Sequence, residues 1–477
     1  MNVQERNSHE AAASVLREPF FWLALALALT RFWRLGDWSL WEDEVFTLSD
    51  ARTMFEGGSG PKNPLGYLLF AGLIHGLGTV PSELGLRLVP ALLGVVGIAA
   101  CGLCFAPLFG ARRAAVSACL VAASSWHVYW SQNARFYTLA QDFALIGGAL
   151  ALRAILRPRG ERFRFTALCA LAALLLAALA QPAAALLLPA WLAAFLLAPR
   201  LKLEPAPPPV ATSRAMLLAG AVLALAIAAW VGPIWLDFYR TKHDSTVRHL
   251  VLSSGWYFTP ALLAAAAFGA FQAFRARSGA DVLCACACLV TTLLITVNAL
   301  FVRAAAQYLF VLLPFVAVLA TRPLVEARAP RSWKAAWLAA LLVPALFDQF
   351  LYFERRGGDR PPWKEAFAAV FERKAPGDLV FTNNANVGEY YFAPTSLDLR
   401  HPTHVHNLDR YSYMAERHWE RQPRRAWFVV NHDRLDEWPA DAKRDFEAML
   451  ADNARLVASF ELEAGMRDID VQVYLRE

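Results

Sequence analysis

Between Phe165 and Ala198 the chain runs through an apolar stretch made mainly of alanine and leucine. The stretch contains no acidic, basic or histidine side chain. A soluble core does not need an apolar run of that length, whereas two short membrane-spanning helices joined by a turn do. The composition agrees, because 57% of the 477 residues are hydrophobic and only 18% are charged. The sequence therefore predicts an integral membrane protein.

Apolar blocks of spanning length recur along the first three quarters of the chain. About eleven transmembrane helices are predicted, near residues 20–35, 88–109, 114–130, 138–155, 165–180, 183–198, 215–232, 256–273, 281–300, 305–321 and 334–351. The block at 65–80 is short and rich in glycine, and we predict a juxtamembrane or re-entrant helix there. The first block is predicted to be retained, because Arg31 and Arg34 stand at its end, where a cleavage site would need small residues.

The arginines predict the orientation in the membrane. If 65–80 does not cross, the basic clusters at 112–113, 153–164, 200–214, 275–277 and 322–334 share one side with the N-terminus. Basic residues concentrate on the cytoplasmic side of membrane proteins. We therefore expect a multi-pass protein of the cell inner membrane with a cytoplasmic N-terminus. This placement also explains the net charge of +6, so no nucleic-acid partner is predicted.

The sequence pattern changes after residue 356. Gly357, Gly358, Pro361 and Pro362 form a cluster of helix-breaking residues, and helical and strand-like segments alternate beyond it. We predict a transmembrane domain over 1–356 and a soluble, extracytoplasmic (periplasmic) α/β domain over 357–477. Its predicted helices are 363–374 and 440–452, and its predicted strands are 378–382, 426–431, 456–461 and 470–474.

Polar residues that could carry chemistry collect in the predicted outer loops. Three adjacent carboxylates, Glu42, Asp43 and Glu44, follow Trp41 just beyond the first helix. They suit a carboxylate that accepts a proton from an acceptor hydroxyl or amine, with a neighbour that holds structure or a cation. A solvated loop at the membrane interface explains them equally well. No cofactor follows from the sequence, although such a pair also suits a divalent cation.

Three basic residues lie at the same predicted face. Lys62 precedes a proline at a helix start, where it suits a phosphate, although a lysine that extends to the membrane surface is the plainer interpretation. Arg87 stands similarly before an apolar block. Arg135 lies in a polar, aromatic segment that ends at Tyr137, and its guanidinium suits a phosphate through two parallel hydrogen bonds.

Two further segments leave alternatives open. Residues 401–406 contain three histidines, which suit a metal, but their spacing matches no zinc pattern and a surface loop is favoured. The charged outer loop 237–252 fits a lid over a lipid site or an ordinary solvated loop. Neither segment defines a site by itself.

The order of these motifs resembles the GT-C superfamily of glycosyltransferases. The resemblance rests on Asp43-Glu44, then segments 62–67, 85–91 and 131–137, in that order and spacing. It is nearest to the branch that holds the dolichyl-phosphate-mannose protein mannosyltransferases and the lipid A aminoarabinose transferase. The resemblance covers residues 20–155 by motif and the remaining chain by predicted topology.

The resemblance implies a GT-C-like fold and an enzyme that moves a hexosyl or pentosyl group, with inversion, from a polyprenyl-phosphate sugar of the undecaprenyl type. The acceptor, whether protein, lipid or glycan, lies outside the cytoplasm. By this resemblance Asp43 is the general base or acceptor-positioning carboxylate, and Glu44 is its structural partner. The donor phosphate would be contacted by four residues: Lys62, Arg87, Arg135 and Tyr137.

The sequence departs from the family pattern at several places. Asn63 replaces a proline, and Gln181 precedes Pro182 where relatives carry a histidine-containing turn. An Arg-Tyr pair of the relatives becomes Gln307-Tyr308, with Arg303 one turn earlier.

The rival interpretation is a transporter or lipid flippase. Such proteins show inverted repeats and mid-membrane ionisable residues. No repeat is evident here, although Asp142, Asp281 and Asp348 near helix ends favour that rival.

Overall fold

The structure is a computed structural model, and it describes residues 10, 13–54, 63–77, 82–156, 161–201, 203–204, 225–226, 229–237, 239–240, 246–326, 330–393, 399, 401–408, 425–464 and 467–477. Most of these residues are helical. The helices before residue 200 are α1 (Pro19–Ala28), α2 (Glu42–Thr53), α3 (Pro64–Leu77), α4 (Glu83–Phe109), α5 (Ala111–Ala123), α6 (Ser125–Ser131), α7 (Tyr137–Leu156), α8 (Glu161–Ala180) and α9 (Leu187–Leu197).

The later membrane helices are separated by short breaks. They are α10 (Val247–Phe258), α11 (Pro260–Ala276), α12 (Gly279–Asn298), α13 (Leu313–Ala320), α14 (Arg322–Glu326) and α15 (Arg331–Glu354). Short 3-10 turns cover Leu29–Phe32, Pro182–Leu186, Ala306–Leu312 and Gly357–Asp359.

Six helices in the described part of the chain are long and apolar enough to cross a membrane. A seventh span is added if α10 and α11, which bend by 90° at their junction, count as one. The expected number of eleven is not confirmed. The predicted blocks at 20–35 and 183–198 form shorter apolar helices, the block at 114–130 is interrupted at Ser124, and the block at 215–232 lies largely outside the described residues. The block at 65–80 is also a short apolar helix, α3.

Two glycines allow α4 to approach α6 and α7 closely. A methyl group at Gly94 would collide with the Ser131 hydroxyl, and one at Gly97 would collide with the Asp142 carboxylate. Helices without side chains at the contact can pack their backbones together in a bilayer. This approach brings the N-terminal part of α4, which carries Arg87, beside the segment 131–137.

The C-terminal part is a small α/β sheet structure, as predicted. Its main sheet has the order β2-β1-β3-β7-β4, in which β1 runs parallel to β2 and β3, and β7 runs antiparallel to β3 and β4. The strands are β1 (Leu379–Thr382), β2 (His406–Asn407), β3 (Ala426–Asn431), β4 (Arg455–Phe460), β5 (Glu463–Ala464), β6 (Arg467–Asp468) and β7 (Val471–Arg476), and the helices are α16 (Trp363–Phe371), α17 (Ala385–Phe392), α18 (His432–Leu435) and α19 (Ala440–Asn453).

The sheet structure packs directly on the segment that contains α2 and α3. One apolar core includes Val45 and Leu48 of α2, Phe70 of α3, and Trp363 and Val473 of the C-terminal part. Burying such side chains between two bodies is the main force that holds them together. The C-terminal part therefore covers one side of α2.

Candidate active site

The centre of the candidate site is a buried carboxylate, that of Glu44. The α2 helix begins here, and its first turn is closed by the Trp41 amide, which donates to Glu44 Oε2 at 3.2 Å. The Ala134 amide donates to Glu44 Oε1 at 2.7 Å. Glu44 is fully buried, so its charge needs positive partners.

Arg87 from α4 is the first of these partners. It makes two parallel bonds to Glu44, from Nε and from Nη2, both at 2.8 Å. Its remaining N–H groups face the backbone carbonyls of Leu35, Trp38 and Ser39. A guanidinium has five N–H donors, and these five contacts occupy all of them. Arg87 is also fully buried, which leaves no donor for the expected phosphate contact.

Arg360 is the second partner, and the sequence interpretation missed it. Its Nε lies 3.4 Å from Glu44 Oε2, and its Nη2 donates to the Gln132 carbonyl at 2.7 Å. The chain reaches this position through a tight turn in which Gly358 has a φ of 68° and in which an added side chain would collide with Trp38. Burial alone would raise the pKa of Glu44, but Arg87 and Arg360 outweigh it and lower that pKa to about 2.

Asp43 has a different environment from its neighbour. Its side chain is 37% exposed, and its Oδ2 lies 4.0 Å from Nη2 of Arg135. The guanidinium of Arg135 also donates from Nη1 to the Asp43 carbonyl at 3.1 Å and to the Thr47 hydroxyl at 2.9 Å. Burial disfavours the charged form of Arg135, but Asp43, together with weaker interactions with Tyr67, Tyr137 and Asp50, outweighs it and raises the Arg135 pKa above its ordinary value.

Aromatic side chains surround this acid–base pair. Arg135 lies over the ring of Phe136 at 4.7 Å, and Tyr67 of α3 meets the same ring edge-on. Tyr137 and Tyr308 both interact electrostatically with Asp43 and Arg135. The site therefore combines a water-accessible carboxylate, a fixed cation and phenolic hydroxyl groups.

The structure brings together five of the six residues expected at this site. Asp43, Glu44, Arg87, Arg135 and Tyr137 lie at one end of the bundle. Lys62 lies outside the described residues. Its neighbour Asn63 donates to the Gln181 side chain at 3.0 Å, so two departures from the family pattern contact each other.

The other candidates have ordinary surroundings. His404 is held by Glu389, which accepts from its backbone amide at 2.9 Å and lies 2.8 Å from its Nδ1. In the part of the chain that the structure describes, no three acidic, histidine or cysteine side chains come together as a metal site. Glu44 is paired with two arginines, which leaves Asp43 as the more accessible carboxylate of the pair. The charged segment 237–252, interpreted as a lid or as an ordinary solvated loop, lies partly outside the described residues.

Solved structures share this architecture. The chain aligns with ArnT, the lipid A aminoarabinose transferase, of Cupriavidus metallidurans bound to undecaprenyl phosphate, with a TM-score of 0.57 over 95% of this chain and 97% of that one. The chain has the GT-C fold. The identity to that structure is 15%, and the apo form of the same protein gives a TM-score of 0.56 at 16% identity.

The GT-C fold also appears in a second match. The chain aligns with the oligosaccharyltransferase AglB of Archaeoglobus fulgidus, in complex with an inhibitory peptide and a dolichol phosphate. The TM-score is 0.52 at 13% identity, over 92% of this chain and 72% of that one. No protein-family model matches the sequence, and no curated protein matches it significantly.

Proposed function

We propose that this protein is a membrane glycosyltransferase that moves a sugar from a polyprenyl-phosphate donor, of the undecaprenyl type, to an extracytoplasmic acceptor. The observation that carries the proposal is the pairing of exposed Asp43 with Arg135, at the outer face of a fold found in ArnT bound to undecaprenyl phosphate. Transfer of this kind needs a base for the acceptor and a cation for the phosphate. Both lie within one cluster here.

The proposed reaction is a single displacement. An acceptor hydroxyl or amine attacks the anomeric carbon of the donor sugar, and its proton passes to Asp43. The bond between that carbon and the phosphate oxygen breaks with inversion, and polyprenyl phosphate leaves with the electron pair. Arg135 neutralises the charge that develops on the leaving phosphate, because a fixed guanidinium suits that role. Tyr137 and Tyr308 supply hydroxyl groups near it.

Glu44 and Arg87 have a structural role in this proposal. Every N–H of Arg87 is engaged with Glu44 or with a backbone carbonyl. We therefore propose that Arg87 does not contact the donor phosphate, as the resemblance implied. Instead, it fixes the start of α2 and so the position of Asp43. Lys62 keeps its proposed phosphate role, as the residue next to Asn63.

A transporter or flippase is the second candidate. The observation that favours it is Asp142 of the spanning helix α7, a buried carboxylate whose two oxygens have no hydrogen-bond partner. Ionisable residues inside a membrane often mark transport paths.

The deciding experiment incubates purified protein with labelled undecaprenyl-phosphate sugars and membranes as the acceptor source. Transfer of label to an acceptor supports the enzyme, whereas movement of intact donor across vesicles without cleavage supports the rival.

The residue-level test is Asp43→Asn. We expect transfer to fall on the order of 100- to 10,000-fold, the usual contribution of a general base, while donor binding and melting temperature stay unchanged. Asp37→Asn, which removes an exposed carboxylate that is paired with Arg34, is the matched control and should retain most activity. Full transfer activity in Asp43→Asn would exclude the proposed role of that carboxylate.

A further inference from the structure

Four charged side chains from three separate elements form a chain of ion pairs beside the active site. Arg434 of α18 pairs with Glu42 at the start of α2. The same arginine lies 3.5 Å from Glu437, and Glu437 lies 3.5 Å from Arg303. We call Glu42, Arg303, Arg434 and Glu437 the charged rim. Two of its members belong to the C-terminal part and two to the membrane part.

Both ends of the charged rim adjoin residues of the active site. Glu42 directly precedes Asp43 in the first turn of α2. Arg303 interacts electrostatically with Tyr308, which in turn interacts with Asp43 and Arg135. The rim therefore runs along one side of the acid–base pair, and it is the C-terminal part that completes it.

The charged rim is open to water, unlike the Glu44 cluster behind it. The side chains of Arg303 and Glu437 are 54% and 50% exposed, and those of Arg434 and Glu42 are 36% and 26% exposed. Ion pairs at such exposure contribute little to stability. Ion pairs that are easily separated are poorly suited to hold the C-terminal part on the membrane part. The shared apolar core already holds these two parts together. The rim is better suited to meet a ligand.

We propose that the charged rim is the entrance through which the acceptor approaches Asp43 from the aqueous side. On this proposal, which rests on the proposed transfer reaction, the acceptor presents a polar, water-borne group and exchanges its hydration for contacts with Arg303, Arg434 and the two glutamates. Arg434 and Glu437 are then positioning residues contributed by the C-terminal part. The lipid donor approaches from elsewhere, because a charged, hydrated rim excludes an apolar chain.

The test measures which charges a small molecule passes on its way to position 43. In an Asp43→Cys background, the cysteine is modified by a cationic and by an anionic water-soluble thiosulfonate, and the ratio of the two rates is recorded. Arg434→Gln and Arg303→Gln should each raise the cationic-to-anionic ratio about fivefold, the effect expected of one charge within roughly a Debye length. Glu437→Gln should lower the ratio.

The arginine variants and the glutamate variant should change the rate ratio in opposite directions, so the result is specific to the charge that is removed. A loss of folding would change both rates together, and the melting temperature of each variant checks this directly. The parent protein without the new cysteine corrects for its seven native cysteines.

The matched control is Arg455→Gln. Arg455 is similarly exposed and paired with Glu477, but it lies level with Leu475 and Trp427, at the opposite end of the sheet from Arg434. Its variant should leave the ratio unchanged. Rim variants that leave the ratio unchanged, or change it no more than Arg455→Gln does, would overturn the proposal. The measurement uses neither donor nor acceptor, so its outcome is separate from whether sugar transfer is observed.

Discussion

Replacing Glu44 by glutamine should destabilise the protein strongly, although the change adds and removes almost no volume. Glu44 accepts from the Ala134 amide and Arg87 Nε at one oxygen. Its other oxygen accepts from the Trp41 amide and Arg87 Nη2, with Arg360 beside them. An amide has one acceptor and one donor group. In either orientation, the new NH₂ group would face at least two N–H donors.

The magnitude can be obtained in two ways. Removing one partner of a buried ion pair typically costs about 3–5 kcal/mol, because it leaves a buried charge uncompensated. The pKa of Glu44 gives a second figure, since lowering it from 4.5 to about 2 corresponds to a contribution of about 3 kcal/mol to the free energy of unfolding. The two figures agree, and the fully buried position of Glu44 leaves little solvent screening.

The assay is thermal unfolding of the purified protein in detergent, followed by tryptophan fluorescence. Glu44→Gln should melt about 3–10 °C below the parent, by the usual relation between stability and melting temperature. The matched control is Glu42→Gln, where a partly exposed ion pair contributes about 1 kcal/mol at most. A Glu44→Gln protein that melts with the Glu42→Gln protein would refute the assigned role.

Acid gives an independent check of the same argument. The folded-state pKa of Glu44 lies below its ordinary value, so its contribution is complete above about pH 4.5 and is lost as the pH falls towards 2. The difference in melting temperature between the parent and Glu44→Gln should therefore shrink across that interval. A difference that stayed constant with pH would contradict the charge-based explanation.

Two further predictions concern the site and the orientation. Arg135→Lys should weaken donor binding and transfer by roughly 10- to 100-fold, because a lysine cannot hold Asp43 and Thr47 and still offer a planar pair of donors to a phosphate; near-normal donor titration and turnover in this variant would contradict the assignment. A reporter enzyme that is active only outside the cytoplasm, fused after Glu477, should be active, because the arginine distribution places the C-terminal part there; activity of a cytoplasmic reporter instead would reverse the topology.

The sequence predicted local elements well where local signals are strong. The strand at 426–431 has the bounds of β3, Ala426–Asn431, because an apolar run stands there between polar segments. The long apolar helices α7, α12 and α15 also fall where the blocks predicted them. The span count was less successful, since a block such as 114–130 has the composition of one span but bends at Ser124.

For the candidate site, the sequence likewise predicted some features and missed others. The motif order was enough to place Asp43, Arg87 and Arg135 at one face. It did not distinguish Arg87, whose donors are all engaged, from Arg135, because hydrogen-bond saturation depends on carbonyls such as those of Leu35 and Ser39. Arg360 was missed for a different reason: its partner Glu44 is distant in sequence. The sequence signal that could have identified Arg360 was its position between a Gly-Gly turn and two prolines.

The contact between Arg360 and Glu44 joins positions 316 residues apart, which imposes an order on biosynthesis. Glu44 and Arg87 are synthesised early, but the second arginine, Arg360, can reach Glu44 only after the preceding long helix, α15, has been made. Until then, Glu44 lacks its second arginine partner and α2 lacks the sheet that covers it. The buried charge cluster around Glu44 therefore stays incomplete through most of the insertion of the nascent chain, and it is completed only when the final quarter of the chain has been synthesised.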